Sequence, residues 1–232
     1  MSGLDKAQHQ MHLTTILLGI AKDSRLNSSL GFKGGTAAML FYGLPRFSVD
    51  LDFDLIGEPD GVIERMTQLL GKKYTIKDQS KKWNTLFWLL SYGEGATHIK
   101  VEVSTRDNPF NHYETKIYYG ASIRVLSEPD MIAHKLIALS ERVSRAKRDL
   151  FDAHYFLSSP VATEINYEII KGKTGKNPRE FYELLLREVE KVENKHILDG
   201  LGELLTEPQK DWARAKMKSE LIGLLKRNID LL

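Results

Sequence analysis

The chain has 232 residues, 42% hydrophobic, 28% charged and 9% aromatic, which excludes disorder and fibre and suits one large or two small globular domains. Thirty-three Lys and Arg against 31 Asp and Glu leave a formal charge of +2, so any affinity for nucleic acid has to come from a local patch. The absence of cysteine excludes a disulfide framework, a thiol nucleophile and a cysteine-type zinc site.

The first twenty-odd residues read as an amphipathic helix, with Met11, Leu13, Ile16, Leu17 and Ile20 at helical spacing. Its apolar stretch, 13–20, is far short of a bilayer span and lacks the charged front of a secretory leader. A soluble, cytoplasmic chain with no membrane association is expected. Residues 27–31 break the helix. Phe32 and Lys33 lead into Gly34, Gly35 and Thr36, a glycine turn feeding a short helix with Thr36 as N-cap, stopped by Gly43 and Pro45. Residues 49–55 alternate apolar and acidic, as a strand with one buried face does.

A helix is expected over 60–70, then strands over 85–90, 99–103 and 115–125, rich in β-branched and aromatic residues. After Pro129 the pattern is helical throughout: 131–143, 149–157, 163–170, 178–198 and 210–231. The stretch 171–176 reads as a basic, flexible connector. The chain is therefore expected to be α/β (α+β), with a mixed-sheet domain at 1–126 and a helical domain at 127–232.

Asp50, Asp52 and Asp54 lie two residues apart, so on a strand all three point to one face. Neighbours are about 6.7 Å apart along the backbone. At an effective dielectric of about 20, each adjacent pair repels by roughly 2.5 kcal/mol. A cation between them removes that cost, and magnesium takes carboxylate and phosphate oxygens together. A solvated edge strand with alternating charge is the plainer reading. The glycine turn alone is equally unspecific, but its backbone N–H groups suit phosphates. A glycine turn, one short helix and a strand with paired aspartates, in that order, describe a site for a nucleoside triphosphate with its magnesium.

Lys33-Gly34-Gly35-Thr36-Ala37 together with Arg46-Phe47-Ser48-Val49-Asp50-Leu51-Asp52-Phe53 resembles the signature of the AbiEii/AbiGii nucleotidyltransferase toxins, members of the DNA polymerase β-like nucleotidyltransferase superfamily. Arg46 and Ser48 narrow the likeness to the toxin group. A second block, Lys135, Ala138 and Arg142 followed by Arg148, Asp149 and Asp152, resembles the family's Lys-x-x-Ala-x-x-x-Arg and Arg-Asp-x-x-Asp. Lys135, Arg142 and Asp149 are spaced by seven, which puts them on nearly one face of an unbroken helix. Ordinary helix-surface charge, with Arg148 and Asp152 as an ion pair, is the alternative.

The resemblance implies a polymerase-β-like domain followed by a helical domain. It implies catalytic roles for Asp50, Asp52, Lys135 and Asp149, and nucleotide contacts from Gly34, Gly35, Thr36, Arg46, Ser48, Lys135 and Arg142. A carboxylate on a later strand completes the metal site in the superfamily, and Glu102 is the candidate, with an exposed Glu paired to Lys100 as the alternative. One or two Mg²⁺ ions, an NTP substrate, an acceptor at the 3′ end of tRNA or another RNA, and a cognate antitoxin are the implied cofactor and partners, in toxin–antitoxin or phage-defence biology. Transfer to a small molecule or a protein side chain, and a non-catalytic nucleotide- or partner-binding role, remain open alternatives. Two basic stretches suit RNA: Lys72, Lys73, Lys77, Lys81 and Lys82 before Trp83, and Lys135, Arg142, Arg145, Lys147 and Arg148. Phe181, Tyr182 and Trp212 read as core. His134, His154 and His196 are isolated and read as structural.

Overall fold

The computed structural model describes residues 4–93 and 97–232. They divide into two compact units, one ending at Leu126 and one running from Ser127 to Leu232.

The first unit begins with helix α1 (Lys6–Lys22), whose N-cap Asp5 accepts from the Gln8 backbone N–H. Helix α2 (Ser24–Ser29) follows, capped by Asp23. Strand β1 (Leu30–Lys33) runs directly into helix α3 (Gly34–Phe41). Strand β2 (Leu51–Leu55), helix α4 (Val62–Gly71) and strands β3 (Thr75–Lys82), β4 (Thr85–Ser91), β5 (Ile99–Ser104), β6 (Tyr113–Tyr118) and β7 (Ala121–Leu126) complete the unit. The seven strands form one sheet in the order β3-β4-β5-β2-β1-β7-β6. It is mixed: β1 is antiparallel to β2 but parallel to β7, and β2 is parallel to β5.

Period-two alternation gives the sheet a core face. Phe32, Leu51, Phe53, Leu86, Trp88, Val101, Val103 and Val125 are all almost fully buried. Burying each such side chain is worth roughly 1.5–3 kcal/mol. The Trp88 indole N–H finds a partner in Thr67 Oγ1 of α4 at 3.0 Å, which satisfies the one polar atom that this packing removes from water. The opposite face carries Gly31, Lys33, Asp52, Asp54, Glu102 and Phe87, as the pairing registers require.

The structure differs from the sequence reading in several places. Strand β2 is central, with β1 and β5 on either side, so it is not a solvated edge strand. Thr36 is no N-cap: it lies inside α3, whose N-cap is Lys33, and its hydroxyl donates instead to the Asp50 carbonyl. The stretch 171–176 is mostly the last turn of a helix, closed by left-handed Gly175, rather than a connector.

The second unit is helical: α5 (Glu128–Arg142), α6 (Arg148–Leu157), α7 (Tyr167–Thr174), α8 (Pro178–Glu190), α9 (Glu207–Trp212) and α10 (Lys218–Asp230). The helix expected over 163–170 is displaced, because residues 160–164 form a short 3₁₀ turn and α7 starts after it. Asn177 and Glu180 form a reciprocal capping box at the start of α8. Phe181 and Tyr182 are core, whereas Trp212 is only half-buried and meets Phe151 edge-on.

Candidate active site

The site grows from two short connections in the first unit. Gly34 sits where β1 turns into α3 with φ +82°, a conformation that side chains strongly disfavour. A Cβ at Gly34 would also collide with the Asp52 side chain, lying only 2.9 Å from its Cγ. A Cβ at Gly35 would lie 2.6 Å from Ser48 Oγ and 3.2 Å from an Arg46 guanidinium nitrogen. The two glycines therefore leave the first turn of α3 bare of side chains just where Asp52, Ser48 and Arg46 approach it. The first backbone N–H groups of a helix lack intrahelical partners, and no side chain caps them here. That is the donor set a phosphate oxygen takes.

The loop carrying Arg46 and Ser48 is held from behind. Both side chains are buried, and Arg46 donates to the Phe47 carbonyl at 3.1 Å. Thr36 fixes the Asp50 carbonyl. His9, fully buried on α1, lies with Nε2 2.9 Å from the Val49 carbonyl and Nδ1 3.0 Å from the Tyr92 hydroxyl. A carbonyl only accepts, so Nε2 carries the proton. His9 thus anchors the residue before Asp50, a role the sequence reading did not find. Its signal was present: His9 falls four residues before Leu13 on the apolar stripe of the first helix.

Asp50 immediately precedes β2, and Asp52 lies within it. Asp52 is the register partner of Lys33 on β1 and of Glu102 on β5. Paired residues on adjacent strands share a face, about 4.8 Å apart between strands. Asp54 has a different fate. It is buried, 1% exposed, and receives Lys33 Nζ at 2.6 Å, the Tyr113 hydroxyl at 2.7 Å and Asn111 Nδ2 at 3.3 Å. Gly31 makes room for this by lying directly under the Tyr113 ring. The third aspartate is thereby neutralised inside the sheet.

Among the described residues, no group of three or more His, Cys, Asp or Glu side chains is gathered to hold a metal ion. The donors nonetheless fit magnesium, which takes one or two protein carboxylates, completes its shell with water and substrate phosphate, and needs no all-protein cage. Asp52 and Glu102 in register, with Asp50 one pleat away, provide hard oxygen donors only. The side-chain-free turn at Gly34 lets the Asp52 carboxylate lie against it.

In the second unit the expected unbroken helix is interrupted. α5 ends at Arg142 and α6 begins at Arg148, with Lys147 Nζ donating to the Val143 and Ser144 carbonyls in the gap. Lys135, Arg142 and Asp149 therefore do not line one helix face. Instead, Lys135 Nζ donates to Asp152 at 2.7 Å, a buried pair. The Arg142 guanidinium grips Asp149 with two bonds of 2.8 and 3.2 Å. Two of its five N–H donors are used, and its side chain is still 42% exposed.

Among the described residues no helix is long and apolar enough to cross a membrane. No curated protein matches the sequence. Solved structures share the fold, among them two from Helicobacter pylori. JHP933 from Helicobacter pylori aligns with a TM-score of 0.61 at 19% identity, over 100% of this chain and 95% of that one. A second H. pylori structure, ascribed to a nucleotidyltransferase, aligns with a TM-score of 0.61 at 20% identity, over 97% of this chain and 95% of that one. The mixed sheet with its glycine turn and aspartate strand thus belongs to a fold that these solved structures share. Residues 15–222 match the family described as nucleotidyl transferase AbiEii toxin, type IV toxin–antitoxin system, and the chain belongs to that family of nucleotidyltransferases.

Proposed function

We propose that this nucleotidyltransferase moves a nucleoside monophosphate from an NTP onto a hydroxyl at the 3′ end of tRNA, using magnesium, and that a cognate antitoxin restrains it. The observation that carries the reading is the meeting of Gly34 with Asp52 and of Gly35 with Ser48 and Arg46, beside Glu102 in register. The uncapped N–H groups of α3 receive phosphate oxygens, and Ser48 and Arg46 add a hydroxyl and a cation at the same turn. Asp50, Asp52 and Glu102 are the residues that would supply the one or two carboxylates magnesium takes. Magnesium held there would neutralise phosphate charge and polarise the reacting phosphoryl group. Glu102, in register with Asp52, is also the candidate to accept the proton of the attacking hydroxyl. The protein contributes positioning and electrostatics rather than a covalent intermediate.

In the second unit, Asp149 fixes the plane of the Arg142 guanidinium, and substitution of Arg142 tests its part in turnover separately from stability. Lys135 is engaged with Asp152, so its role in turnover is tested separately from stability. Incubation with each labelled NTP and total RNA, followed by separation of the RNA species, tests the reading. Label on tRNA supports it. Label on no RNA, with label on a small molecule or protein instead, replaces the acceptor.

A further inference from the structure

Trp83 is 95% exposed, an expensive display for a large apolar side chain in a folded domain. It occupies the two-residue loop 83–84 between β3 and β4, where Lys82 pairs with Thr85. The loop is not slack: the Asn84 carbonyl accepts from the Thr105 N–H at 3.1 Å. Lys81 and Lys82 precede it, both exposed, and neither is ion-paired among the described residues. Lys82 and Lys81 point to opposite faces of β3, so positive charge lies on both faces of the strand end that leads into Trp83.

The hairpin also connects with the candidate site. Lys82 Nζ lies over the Phe87 ring, 5.4 Å from its centroid. Phe87 is the register partner of Glu102, and Glu102 that of Asp52. Lys82, Phe87, Glu102 and Asp52 thus follow one another across a single face of the sheet. From β3 to β2 the span is three strand spacings, about 14 Å.

We propose that the Lys81-Lys82-Trp83 hairpin tip is a docking platform for single-stranded nucleic acid, stacking one base on Trp83 while the lysines take flanking phosphates. Aromatic stacking plus phosphate neutralisation is the chemistry by which single strands are held without sequence readout. This rests on the acceptor being a polynucleotide, and it names the surface that receives the strand outside the reacting end.

The test is direct binding, independent of turnover. Full-length protein is titrated into fluorescein-labelled single-stranded oligoribonucleotide, or its deoxyribose counterpart, at about 50 and 200 mM salt. Trp83→Ala should weaken binding about 5- to 140-fold, and Trp83→Phe should recover most of it. Lys81→Ala and Lys82→Ala should each reduce the slope of log affinity against log salt by about 0.7. Melting temperature should not move for Trp83→Ala, because the side chain is almost wholly in water. Unchanged binding by Trp83→Ala, or an unchanged salt slope in both lysine variants, overturns the proposal. Trp83-dependent binding that favours the deoxyribose strand upholds the platform and removes the RNA acceptor instead.

Discussion

Glu102 stands directly across from Asp52 on parallel strands β5 and β2. The two carboxylates share a sheet face and enter it from strands separated by 50 residues of sequence. Glu102→Gln keeps the shape and removes one negative charge. Nucleotidyl transfer should fall at least tenfold, with the melting temperature unchanged or higher because like-charge repulsion is relieved. Steady-state transfer assays beside thermal melts check this; full activity makes Glu102 a spectator.

Gly34→Ala meets two obstacles at once. Its φ of +82° costs a non-glycine residue about 1–2 kcal/mol, and the new methyl collides with Asp52. The variant should lose stability by at least that amount in urea unfolding, and lose transfer more severely than stability. Gly35→Ala has no positive φ to relieve. It should mainly displace Ser48 and raise the KM for NTP.

The two ion pairs of the second unit should separate by readout. Lys135→Met leaves Asp152 buried without its cation and should cost about 3–5 kcal/mol of stability. Arg142→Ala leaves Asp149, 1% exposed, without this cation and should also lose stability. In the variant that stays folded, loss of a charge-assisted bond to nucleotide worth about 1.5–3 kcal/mol should lower kcat/KM roughly ten- to hundredfold. Arg142→Lys should recover part of it, since a point charge lacks the planar fork. Wild-type kcat/KM in Arg142→Ala confines the chemistry to the first unit.

His154 gives the second unit a pH dependence. Burial pushes its imidazole below the ordinary value, and the Glu220 carboxylate 3.0 Å away only partly offsets this. Just below about pH 6.5 the unfolded chain therefore holds more protons than the folded one. The stability tied to the neutral ring is complete above that pH and is lost as pH falls through the folded value. Urea midpoints of wild type and His154→Gln should converge toward acid. A constant gap between them across pH 5 to 7.5, a range of about 2.5 units spanning the histidine titration, contradicts the assignment.

Much of the first unit was legible because its signals are local. The aspartate strand alternates with period two, the glycine turn is read from residue type, and β4 and β5 are rich in β-branched and aromatic residues. What escaped is what distance in sequence hides. β1 is only four residues long and too short for periodicity. β3 is an edge strand, Lys-rich, and needs no apolar alternation because so much of it faces water. The neutralisation of Asp54 by Lys33 and Tyr113 joins residues 21 and 59 positions away. The seven-residue spacing of Lys135, Arg142 and Asp149 suggested one helix, but the chain breaks after Arg142, where Lys147 takes the Val143 and Ser144 carbonyls. The pairs that form are then set by the corner between two helices.

The central claim is that Asp50 and Asp52 hold the metal for nucleotidyl transfer to RNA. It is tested most directly by comparing wild type with the Asp50→Asn/Asp52→Asn double variant, given labelled NTP, magnesium and total RNA. Wild type should label tRNA and lose that activity with chelator. The double variant should transfer no label above background while melting at the wild-type temperature or higher. Wild-type labelling by a folded double variant would contradict the account.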